Sequence, residues 1–125
     1  QYCMDAYKTL KNSVDAEGRK LQIVKIKLPK PIYTTLEDIK GITKGKNNAK
    51  PREVNERLAA SYINYYQGDK FVIIPKFNVP EDEIALKQFK HIYKDKDVIQ
   101  IESREILLGG GNIHCITMQI PDVKG

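Results

Sequence analysis

The sequence predicts a mixed α/β fold, and three observations predict it. Residues 81–94 place Ala85, Phe89 and Ile92 at i, i+4 and i+7, with Leu86 and Tyr93 widening the stripe of an amphipathic helix. The run Phe71-Val72-Ile73-Ile74 is apolar without alternation, as in a central strand covered on both faces. Residues 21–28 instead alternate, with Val24, Ile26 and Leu28 set against Lys25 and Lys27.

Taken in order, Cys3, Tyr7, Leu10 and Val14 form one stripe of a first helix, and Gly18 suits its end. On that stripe Cys3 reads as a small buried filler. Residues 21–28 are the first expected strand, closed by Pro29-Lys30-Pro31. Residues 32–57, with Gly41, Gly45, Pro51 and the run Lys44-Gly45-Lys46-Asn47-Asn48, read as one long loop. Residues 61–66 and 71–74 are two strands joined by Gln67-Gly68-Asp69-Lys70, a hairpin signal, with Pro75 closing the second. Glu81, Asp82 and Glu83 give the next helix an acidic first turn, and Lys90, His91 and Lys94 a basic last one. His91 is thereby a surface residue of that helix end. Residues 97–101 form the following strand, and 102–108 a short connector in which Arg104 and Glu105 read as a surface pair, with Arg104 also a candidate to support the segment that follows.

The chain then runs Gly109-Gly110-Gly111-Asn112-Ile113-His114-Cys115. After it, Ile116, Met118 and Ile120 alternate with Thr117 and Gln119 up to Pro121, a half-buried strand beginning near residue 113. The glycines permit close backbone approach, and Cys115 at the mouth of the strand reads either as a buried thiol filling the strand's inner face or as a seat for a nucleophile. On a strand, His114 and Cys115 point to opposite faces, so His114 is assigned a backbone-shaping role. A phosphate cradle is disfavoured, because such glycine loops open a helix.

The composition excludes several classes. Of 125 residues, 41% are hydrophobic and 30% charged, ordinary for a globular domain, and no apolar run approaches a membrane span. The net charge of +5 is spread among acids, a solvated surface rather than a nucleic-acid track. A basic module on Lys44, Lys46, Lys50, Arg52 and Arg57 remains the rival reading, without interleaved aromatics for base stacking. Two cysteines, Cys3 and Cys115, with no C-x-x-C, read as free thiols in a cytoplasmic protein and give no support for a zinc site. The first residue is Gln, so the expectation is a piece of a longer chain.

Residues 103–121, S-R-E-I-L-L-G-G-G-N-I-H-C-I-T-M-Q-I-P, closely resemble the C-terminal active-site segment of the agmatine deiminases. That family belongs to the guanidino-group-modifying pentein superfamily, with the peptidylarginine deiminases. Residues 56–66, E-R-L-A-A-S-Y-I-N-Y-Y, are similar to a second stretch of the same family. The resemblance implies a partial pentein fold, in which ββαβ modules surround an axis. Residues 61–101 would be about one module, and residues 1–125 the C-terminal portion of one catalytic domain.

The resemblance further implies Cys115 as the nucleophile, with Gly110, Gly111, Asn64 and Tyr62 at the substrate. It implies agmatine as substrate, no metal or organic cofactor, and a peptidylarginine-type substrate as the alternative. The family's His-x-Asp base and carboxylate clamp fall in the N-terminal portion of the same protein, which this piece lacks, so the piece alone is expected to be close to inert. A non-catalytic relative keeping the fold as a scaffold is a third reading. Self-association is compatible with all of these readings, but nothing in the sequence specifies it.

Overall fold

The computed structural model describes residues 2–42 and 52–120. Helix α1 spans Tyr2–Asn12 and α2 Leu36–Gly41. Strands β1, Tyr66–Gln67, and β2, Phe71–Lys76, are followed by α3, Glu81–Ile92, and β3, Asp97–Glu102. Helix α4, Arg104–Leu108, and a 3-10 turn, His114–Ile116, complete the order.

The sheet has three strands in the order β1-β2-β3. β1 runs antiparallel to β2, with Tyr66 opposite Ile73, and β3 runs parallel to β2, with Val72 opposite Val98. The apolar run 71–74 is thus the central strand, as its lack of alternation predicts. It continues through Pro75, which the sequence placed at its end. The ladder tolerates that proline because β1 reaches only Val72 and Ile73, leaving no outer partner beside residue 75 among the described residues.

One core holds the fold: Leu58, Tyr62, Val72, Ile74, Phe77, Ala85, Phe89, Leu107 and Leu108 are buried together. Ala85 and Phe89 are the predicted stripe of α3, whereas Ile92 lies at its exposed border. Tyr65 meets Phe89 edge-on with ring centroids 4.9 Å apart, and Tyr93 stacks on Phe89. The Asp82 carboxylate organises the entry to α3. It accepts hydrogen bonds from the Phe77 and Val79 amides and from the Tyr62 hydroxyl at 2.8 Å.

Four sequence expectations are corrected. Residues 21–28 pair with no strand among the described residues; the nearby bridge joins Val14 to Lys20. Alternation gives a segment two faces but does not supply a ladder partner. In place of one, the Gln88 side chain bonds the Lys25 carbonyl and the Lys27 amide.

On α1, Cys3 is exposed rather than a buried filler, and Leu10 and Val14 are exposed with it. An amphipathic stripe specifies a need for cover, not which surface provides it. The expected strand 61–66 shrinks to Tyr66–Gln67, because residues 62–64 turn and send Tyr62 into the core.

The last expected strand, from residue 113, does not form either. The chain makes the 3-10 turn, after which Met118 and Ile120 are 83% and 86% exposed. Pro121 and the lysines at 44, 46 and 50 lie outside the described residues.

Within the expected loop 32–57, α2 was missed. Its signal was legible as a capping box: Thr35 accepts from the Asp38 amide, and the Asp38 carboxylate accepts from the Thr35 amide.

Candidate active site

The segment that presents Cys115 begins with α4. Arg104 grips the Asp38 carboxylate through Nε at 3.0 Å and through a terminal nitrogen at 2.5 Å, and also donates to the Tyr33 carbonyl. This guanidinium holds the Asp38 carboxyl well below the ordinary carboxylate range. Of the two readings of Arg104, the surface pair gives way: Arg104 is an anchor of α4, and its partner is Asp38 rather than Glu105.

After α4 the amides of Gly109 and Gly110 bond back to the Ile106 and Leu107 carbonyls. Gly110 has φ +96°, where a Cβ is strained. Gly111 needs its missing side chain for a different reason: a Cβ there would stand 2.8 Å from the Cys115 Cβ and 3.2 Å from its sulfur. Asn112 and Ile113 are buried and pin the turn. The Asn112 side-chain oxygen accepts from the Ile113 amide, and the Asn112 backbone carbonyl accepts from the Cys115 amide at 2.9 Å.

Cys115 is exposed, and the Asn64 side-chain amide donates to its sulfur at 3.1 Å. Asn64 also accepts from the His114 amide through its backbone carbonyl at 3.5 Å. The Asn64 amide, and then the Asn112 backbone, lower the thiol pKa by favouring the thiolate. An exposed sulfur with a lowered pKa is the state a nucleophile requires. Two more groups mark the site as polar inside. The Asn64 side-chain oxygen and the Asn112 side-chain nitrogen are buried without a hydrogen-bond partner among the described residues.

The position suits a ligand site in an α/β sheet. Tyr66 lies opposite Ile73 on an antiparallel strand, so Asn64 falls beyond it, toward the carboxyl end of β2. Ligands bind off the carboxyl ends of parallel strands.

The structure thus brings together Cys115, Asn64 and Gly111, with Gly110 preceding Gly111 in the same turn and facing Arg52. It does not bring Tyr62, which has 0% exposure and an engaged hydroxyl, so its role is in the scaffold beneath. His114 and Cys115 lie in a 3-10 turn, so strand alternation does not send their side chains to opposite faces. His114 still shapes the backbone, its carbonyl accepting from the Thr117 amide and hydroxyl. His91 is exposed at the end of α3, as read from the sequence.

The family model of the Porphyromonas-type peptidyl-arginine deiminases matches residues 1–121. The chain belongs to that family. Among its relatives is a Listeria monocytogenes protein named "Putative agmatine deiminase 1", 49% identical over 117 residues. That match takes in 94% of this chain and 32% of the relative, so the chain spans about a third of the length of such relatives.

The agmatine deiminase of Enterococcus faecalis has a solved structure that superposes with a TM-score of 0.77 at 33% identity, over 94% of this chain and 32% of that one. The X-ray structure of another protein, named "putative agmatine deiminase", gives 0.81 at 34% identity over 94% of this chain and 31% of its own. Among the described residues no helix is long and apolar enough to cross a membrane.

Proposed function

We propose that this chain is the C-terminal portion of an agmatine deiminase-like hydrolase of the cytoplasm, with Cys115 as nucleophile. The observation that supports this most directly is the exposed Cys115 sulfur held at 3.1 Å by the Asn64 amide. In this reading the β1-β2-α3-β3 order is one ββαβ module of a pentein propeller, completed by the remainder of the protein.

The chemistry follows from the thiolate. The guanidinium carbon of agmatine is deactivated by resonance and needs a strong nucleophile near neutral pH. The Cys115 sulfur bonds to that carbon, giving a tetrahedral adduct. One C–N bond then breaks, and ammonia leaves with a proton supplied by a histidine of the remaining protein. The covalent thiouronium is attacked by water, which the same histidine deprotonates. Breaking the C–S bond returns the thiolate and releases N-carbamoylputrescine. The net reaction adds one water and liberates one ammonia, with no change of oxidation state. Paired hydrogen bonds from carboxylates outside this chain hold the planar cation.

The complete protein should release ammonia and N-carbamoylputrescine from agmatine, and Cys115→Ser should abolish release while leaving the fold intact. A haloacetamidine should label Cys115 stoichiometrically. Undiminished turnover by Cys115→Ser would overturn the assignment. The matched family model keeps a second reading, a peptidylarginine substrate, in play. Faster deimination of an arginyl peptide than of agmatine would favour it.

A further inference from the structure

Helix α4 has five residues, too few to be stable alone, and the glycines after it contribute no side chains. What fixes this stretch must come from elsewhere in the chain. Its beginning is held by Arg104 on Asp38. Its end is held by Arg52, whose Nε donates to the Leu108 carbonyl at 3.2 Å.

The other nitrogens of Arg52 are also placed. One terminal nitrogen pairs with the Glu56 carboxylate, and the other lies 3.5 Å from where a Cβ on Gly110 would stand. Glu56 is itself seated, its carboxylate accepting from the Glu53 amide and its own amide donating to the Thr34 hydroxyl at 2.9 Å. A half-buried guanidinium therefore spans from a fixed carboxylate to the last turn of α4 and the glycine turn. A cation there also satisfies a terminal helix carbonyl. A lysine could offer the charge but not the planar fork that serves both partners.

We propose that Arg52 is a positioning residue for Cys115. By holding the Leu108 carbonyl and filling the space beside Gly110, it fixes the glycine turn and so keeps the sulfur against the Asn64 amide. This rests on Cys115 being the nucleophile of the deiminase proposed above.

The test uses the complete protein and the variants Arg52→Met, Arg52→Lys and Asn64→Ala. Two quantities are read: kcat and KM for agmatine, and the pH dependence of Cys115 alkylation by iodoacetamide. Arg52→Met should lower kcat about tenfold to a hundredfold, as misplacements near 1 Å do. KM should stay within about twofold, since the effect falls on the chemical step. The alkylation midpoint should move to higher pH, and Arg52→Lys should fall between wild type and Arg52→Met.

In an Asn64→Ala background the same Arg52 change should move the midpoint no further, because both act through one contact. Equal shifts in both backgrounds, or unchanged kcat and midpoint with only a lower melting temperature, would overturn the proposal. Should Arg52→Met fail to fold, Arg52→Lys carries the same comparison. Alkylation needs no deimination, so failure of the deiminase reading would appear separately, as turnover surviving Cys115→Ser.

Discussion

Replacing Gly111 by alanine tests the site at its tightest point. The added methyl would stand 2.8 Å from the Cys115 Cβ, about 0.6 Å inside the 3.4 Å at which ordinary contact begins. The atom it meets is a Cβ fixed to the backbone, not the free end of a long side chain. Either the glycine turn or the 3-10 turn must therefore move by several tenths of an ångström. The 3.1 Å contact between Asn64 and the sulfur is the first to open, because a side-chain amide cannot follow a displaced backbone without rotating. Displacements of this size at a reacting atom correspond to a loss of about tenfold to a hundredfold in kcat.

Steady-state turnover of agmatine by the complete Gly111→Ala protein measures this, with the alkylation midpoint of Cys115 as a second reading. The melting temperature should change little, since Cys115 is exposed and the core is untouched. A Gly111→Ala protein with wild-type kcat and wild-type alkylation would refute the claim that this approach holds the nucleophile in place.

Two further substitutions separate scaffold from chemistry. Tyr62→Phe keeps the ring packed against Phe77 but removes the hydroxyl that reaches Asp82. It should lower stability in urea by about 1–2 kcal/mol and leave kcat unaltered; a fall in kcat at unchanged stability would place Tyr62 at the substrate after all. Asp38→Asn tests the Arg104 anchor through pH. The Asp38 carboxyl is depressed in the folded protein, so its contribution is complete above the unfolded value near pH 4 and is lost as pH falls below it. Wild type should therefore lose more stability than Asp38→Asn between about pH 5 and pH 2, measured by urea titration at each pH. Parallel loss in both proteins would show that the pair contributes nothing.

Much of the fold was legible because it depends on local pattern. The stripe of Ala85 and Phe89 and the unbroken run 71–74 each allow one way to hide apolar surface, and both elements formed where expected. The segments that differed are those whose partner is distant in sequence. Residues 21–28 and 116–120 have a strand's alternation, yet a ladder needs a neighbour, and none stands beside them among the described residues. The α2 capping box was present in the letters Thr35 to Asp38, but the glycines and prolines around it outweighed a helix of six residues.

The sequence by itself marked residues 109–115 as the candidate segment, through the resemblance of residues 103–121 to the agmatine deiminases, whereas three glycines ahead of a cysteine say only that the backbone there takes a turn closed to other residues. It determined the α/β class as well, since periodicity is a property of neighbouring residues. Only the tertiary structure decided that Asn64 reaches the sulfur while Tyr62 turns away from it into the core, and that two arginines hold α4 at its ends. The contacts of Asn64, Arg52 and Arg104 join residues 51, 56 and 66 positions apart. They are set by how elements pack, and no local pattern encodes a distance across the fold.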